Sequence, residues 1–83
     1  MSSKKIIRIM KTEAGDYEVR WREGPHRKLT AEIFKDPYQA ELFALSLFEN
    51  FGGPDAVEAY DHRDAPPGKV KRIFTDYAWD RQR

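Results

Sequence analysis

Between Asp36 and Phe51 the sequence writes out one helix that carries more apolar surface than a single core contact uses. Asp36 is placed to cap the first turn, Pro37 suits the first helical position, and Gln39 stands where a capping box needs it. Ala40, Phe43, Ala44, Leu47, Phe48 and Phe51 recur at helical spacing and form one stripe, and Gly52-Gly53-Pro54 ends the segment. Tyr38, Leu42 and Leu45 lie off that stripe. A helix that is apolar on a second side has to be covered by the rest of its chain, by a partner or by a second copy.

The flanking segments change to a period of two. Lys4 to Lys11 reads as a strand with Ile7 and Ile9 on one face and Ile6, Arg8 and Met10 on the other. Residues 12–16, Thr-Glu-Ala-Gly-Asp, have the composition of a hairpin turn. From Tyr17 to Glu23 the pattern alternates, with Tyr17, Val19 and Trp21 on one side and Glu18, Arg20 and Arg22 on the other. After Gly24-Pro25-His26, residues 29–34 form a third strand, with Leu29, Ala31 and Ile33 sharing one face and Thr30, Glu32 and Phe34 the other. The helix is expected to lie across this sheet with its stripe on Ile7, Ile9, Val19, Trp21, Ala31 and Ile33. The opposite face would then hold the arginines together with Glu18 and Glu32.

Residues 55–60 are a short strand in which Val57 and Ala59 share a face. A loop stiffened by Pro66-Pro67 follows, then a strand over 70–77 and a short tail that contains Trp79. The predicted fold class is therefore α+β. It is an antiparallel sheet of about five strands in the order βββαββ, with one long helix packed on one face and residues 1–83 as one domain.

Composition narrows the function. The chain has no cysteine, so neither a disulfide nor a thiolate zinc site can supplement the core, and five Phe, four Tyr and two Trp are its main core material. The first residues lead into neither a signal-peptide core nor a membrane span, so a cytoplasmic protein without a membrane partner is expected. Only His26 and His62 could work as general bases near neutral pH. His26 sits in a Pro-Arg turn. His62 follows Asp61, but no nucleophile stands beside it in a recognisable motif. The aspartates near His62 do not have metal-ligand spacing, and Gly52-Gly53 closes a helix instead of opening one, which argues against a phosphate loop. The sequence predicts no enzyme, no metal, no cofactor and no small-molecule substrate.

Residues 17–51 carry a resemblance. Tyr17-Glu-Val-Arg-Trp-Arg-Glu-Gly24, then Arg27 and Lys28, a strand ending in Phe34, and a helix with Ala40 and Phe43 together resemble the arm-type DNA-binding domain of phage tyrosine integrases. The same series is similar to small uncharacterised bacterial domains of strand-strand-helix-strand-strand order, which the segment over 55–77 also suits. In the integrase family the exposed sheet face enters the DNA major groove. The resemblance thereby implies that role for Arg20 and Arg22, with Arg8 and Lys28 as neighbours.

Two functional expectations follow. The first is a non-catalytic, protein-binding regulator or inhibitor of the phage or mobile-element accessory type. It would engage a protein partner, or a second copy as a homodimer, through Tyr38, Leu42, Leu45, Tyr77 and Trp79, because aromatic side chains are preferred interface anchors. The alternative is a DNA-binding domain that uses Arg8, Arg20, Arg22, Arg27 and Lys28. The formal net charge of +1 gives that alternative no global basic excess.

Overall fold

A computed structural model describes residues 4–24, 26–63 and 69–75. Strands β1 (Lys5–Lys11), β2 (Tyr17–Arg22) and β3 (Thr30–Phe34) are followed by helix α1 (Pro37–Asn50), a 3-10 turn (Gly53–Asp55) and strands β4 (Val57–Asp61) and β5 (Lys71–Ile73). All five strands form one sheet in the order β3-β2-β1-β4-β5. The α+β class, the element order and the single helix on one face agree with the sequence reading.

The sheet is mixed, not wholly antiparallel. β1–β2, β2–β3 and β4–β5 pair antiparallel, whereas β1 and β4 run parallel. The reason is the crossover. β3 runs in the direction of β1, and α1 carries the chain back over the sheet, so the next strand enters the free edge of β1 in the same direction as β1. The final strand is also shorter than the predicted 70–77. It ends at Ile73, where Phe74 adopts φ 63° and leaves the ladder, while its ring packs 5.2 Å from that of Phe48.

Local chemistry sets the other boundaries. The first hairpin closes through Thr12, whose amide donates to Asp16 O at 2.9 Å and whose hydroxyl accepts from the Asp16 amide at 3.0 Å, with Gly15 at φ 90°. Asp36 caps α1 by accepting from the Tyr38 amide at 3.0 Å, and Pro37 occupies the first turn. Beyond α1, Gly52 takes φ 115° as the chain turns into the 3-10 segment.

Ile7, Ile9, Val19, Ala40, Ala44, Phe48, Val57 and Ala59 are fully buried between helix and sheet. The predicted helix stripe is the one that docks: Ala40, Ala44 and Phe48 form its buried centre, and Phe43, Leu47 and Phe51 pack around it. The small Ala40 and Ala44 let the helix backbone come close to the sheet. Phe43 meets both Trp21 and Phe34, at 5.4 and 5.1 Å between ring centroids.

One face assignment is reversed. Tyr17 pairs with Phe34 and Val19 with Glu32, so Phe34 and Glu32 lie on the helix side, while Ala31 and Ile33 lie on the other. Ile33 and Leu29 are each 52% exposed. The register of β3 is fixed by Phe34, whose larger ring fills the space beside Phe43 and displaces the Leu-Ala-Ile face from the core. Glu32 accordingly leaves the face on which the sequence reading put it.

Candidate nucleic-acid interface

The sheet side opposite α1 is uncovered among the described residues, and its side chains can be ordered from the register. The row across the middle runs Ala31, Arg20, Arg8, Tyr60, Arg72 from β3 to β5. The row beside it contains Arg22, Ile6 and Glu58. On the other side, Met10 stands opposite Glu18, which pairs with Ile33. Arg8 and Arg20 are thus direct cross-strand neighbours, a like-charge arrangement that ordinarily destabilises a sheet.

Each of these two guanidiniums is held. Arg8 donates from Nη1 to His62 Nε2 at 3.1 Å and lies 5.5 Å from the centre of the Tyr60 ring. Arg20 pairs with Glu18 at 3.0 Å. Arg22 has no carboxylate within bridging distance among the described residues. On β4, the Tyr60 hydroxyl donates to Glu58 Oε1 at 2.7 Å, and Glu58 Oε2 stands 4.0 Å from Lys4 and 3.9 Å from Arg72. Glu18 and Glu58, the acids of this face, are therefore both engaged by cations of the same face.

Electrostatics around His62 report the local sign. Burial, followed by the positive charge of Arg8, holds its pKa below the usual imidazole value; Asp61 opposes this, and Arg20 adds a smaller push in the same direction as Arg8. The hydrogen bond that the Tyr60 hydroxyl donates to Glu58, with burial, raises the Tyr60 phenol. Asp61 does not form a dyad with His62. Its carboxylate accepts from Arg63 Nε at 2.9 Å and Nη2 at 2.7 Å, and Arg63 reaches Glu41 of α1 at 3.5 Å.

Between the start of β1, the end of β2 and Leu29 the open face sinks into a depression of about 380 Å³ lined by Lys4, Lys5, Ile6, Arg8, Arg20, Arg22, Gly24 and Leu29. Among the described residues no acid lines it. The ammonium of Lys5 points away from it, 5.6 Å above the Phe51 ring on the helix side. Arg27 and Lys28 are exposed in the β2–β3 connection, and Arg27 Cγ lies 3.7 Å from where a Cβ on Gly24 would stand.

The structure therefore brings Arg8, Arg20 and Arg22 onto one surface and sets Arg27 at its rim. Of the predicted protein-binding set, Tyr38, Leu42 and Leu45 fall within the described residues. Leu45 is half-buried and packed against the core, which leaves Tyr38, 62% exposed, and Leu42, 43% exposed, as the apolar remainder of the helix flank. Tyr77 and Trp79 lie outside the described residues. Lys4, Tyr60 and Arg72 join the open face without having been singled out in the sequence. The period-two pattern of 55–60 could have indicated Tyr60, but only the parallel β1–β4 pairing sets it beside Arg8.

Among the described residues no helix is long and apolar enough to cross a membrane, and no three of His, Asp and Glu come together as a metal cluster. The chain matches no known protein-family model, no curated protein and no solved structure.

Proposed function

We propose that this protein is a DNA-binding module that uses the open sheet face. The observation that carries this reading is the convergence of Arg8, Arg20 and Arg22 from neighbouring positions of two central strands onto a depression that no acid lines among the described residues. Guanidiniums on a sheet suit both phosphate contact and bidentate recognition of guanine in the major groove. The resemblance of residues 17–51 to integrase arm-type domains points the same way.

Dimensions favour a particular docking. Strands about 4.8 Å apart make β1–β3 about 10 Å wide, which a major groove of about 12 Å accepts, whereas five strands span about 19 Å. β1–β3 would enter the groove, and β4–β5, with Arg72, would lie along the flanking phosphates. Duplex suits this surface better than a single strand, because among the described residues only Tyr60 brings an aromatic ring to the open face, and that ring already lies against Arg8, whereas Trp21 and Phe34 face the helix. The helix flank supports a protein partner less well, since among the described residues Tyr38 and Leu42 alone make a small patch.

The test is fluorescence anisotropy of a labelled duplex across a salt series. Three to five phosphate contacts predict an affinity loss of about 40- to 500-fold between about 50 and 200 mM salt. Arg20→Glu with Arg22→Glu should retain the melting transition and lose duplex binding. Salt-independent binding, or a double variant that binds like the parent, would remove this reading.

A further inference from the structure

We infer that the depression between β1, β2 and Leu29 is a subsite for one nucleoside phosphate, a phosphate joined to a planar, largely apolar group. Its volume of about 380 Å³ is of the size that admits a single nucleotide and excludes a duplex turn. Its lining divides into two chemistries. Arg22 and Lys4 supply cations, and among the described residues Arg22 is held neither by a carboxylate, as Arg20 and Arg72 are, nor by His62, as Arg8 is, which suits it to a phosphate. Ile6, 37% exposed, stands directly across from Arg22, and Leu29, 52% exposed, closes the other side. These two apolar walls have no use for a bare inorganic phosphate, whereas a base can lie between them with its phosphate on Arg22. A long acyl chain is a poorer occupant, because among the described residues Ile6 and Leu29 are the only aliphatic side chains in the lining and offer no extended apolar track.

The proposal deepens the DNA-binding reading and rests on it for the polymer, but the subsite itself is tested with mononucleotides. One ligand chemistry has two sources here, a free nucleotide or an unpaired nucleotide at the end of a strand. Uniformly labelled protein is titrated with AMP, CMP, GMP and UMP, with the matching nucleosides, with inorganic phosphate and with a phosphate-headgroup detergent, while amide shifts are followed by NMR. Saturable shifts centred on Ile6, Arg22 and Leu29 are expected, with a Kd of about 1 mM or tighter and with nucleotide tighter than nucleoside or phosphate by at least about tenfold. Leu29→Ala should weaken the nucleotide about three- to tenfold, with inorganic phosphate affected less, since Leu29 offers a phosphate nothing. A second arm compares a blunt duplex with one bearing a short single-stranded extension. Preference for the extension assigns the subsite to strand ends, and equal binding assigns it to free nucleotide. Absence of shifts at about 10 mM nucleotide, phosphate binding as well as nucleotide does, or tighter binding of the detergent would each overturn the subsite. Nucleotide binding without any duplex binding would overturn the polymer reading alone.

Discussion

Arg63 shows how much of this fold can depend on one side chain. It holds Asp61 through two side-chain hydrogen bonds and reaches Glu41 of α1, so it ties the end of β4 to the helix. Both partners in the Arg63–Asp61 pair are largely screened from water, with side chains 13% and 16% exposed. These hydrogen bonds, above all, keep the Asp61 carboxyl below its usual range. A carboxylate with a depressed folded pKa contributes stability that is present above its unfolded value of about 3.9 and is lost as pH falls through the folded value. Asp61→Asn should therefore cost about 1–3 kcal/mol at neutral pH and flatten the acid limb of a stability-versus-pH curve. Urea melts from about pH 2 to 7 check both parts, and an unchanged acid limb would show that Asp61 is not the group that titrates. His62 acts with the opposite chemistry and the same sign. Because the folded state disfavours its protonated form, stability should fall as pH drops through about 6.5, and His62→Gln should remove that decline.

At the scale of elements, β3 is the informative strand. Phe34 reaches the core through its ring contact with Phe43, whereas Ile33 faces solvent from the next position. Phe34→Ala should cost about 2–4 kcal/mol, and Ile33→Thr less than about 1 kcal/mol, both read from denaturant midpoints with unchanged slopes. The reverse ranking would mean that the strand sits one residue out of register. Gly52 gives a second element-scale prediction. Its φ is 115° and an added Cβ would lie 2.9 Å from the Ala56 Cβ, so Gly52→Ala should lower stability by at least about 1 kcal/mol where α1 turns into the 3-10 segment. The same strand explains what the sequence could and could not tell. Helix α1, its cap and its docking stripe were legible because an i, i+3, i+4 pattern has one phase. The strands of residues 5–11 and 17–22 were legible because buried Ile and Val alternate with charge. In β3 both faces are partly apolar, so alternation gave the pairs but not the side, and only the packing of Phe34 against Phe43 decides. The parallel β1–β4 pairing left no local mark at all, since it depends on where the crossover lands. The candidate site was half visible for the same reason. Arg8, Arg20 and Arg22 were identified, but their convergence with Lys4, Ile6 and Leu29 is a product of register.

For the whole molecule, the net charge of +1 conceals a separation of charge. The α1 segment holds Glu41 and Glu49 and no Lys or Arg, while Arg8, Arg20, Arg22 and Arg72 project from the opposite side of the sheet. A polyanion therefore meets a molecule whose orientation matters more than its total charge. Two variants with the same net charge separate these effects. Arg22→Glu removes two units of charge from the open face, and Gln39→Glu with Ser46→Glu adds two negative charges to exposed helix positions, so that each takes +1 to −1. The helix lies about 10 Å behind the sheet, and the Debye length is also about 10 Å at 0.1 M salt, so the helix-side charges are largely screened from a ligand on the open face. Arg22→Glu should weaken duplex binding by at least about tenfold, and the helix-side pair by less than about threefold, in anisotropy titrations at that ionic strength. Equal losses would mean that total charge governs binding and that the sheet face has no privileged role. A larger loss from the helix-side pair would move the contact surface to α1, where Tyr38 and Leu42 are exposed.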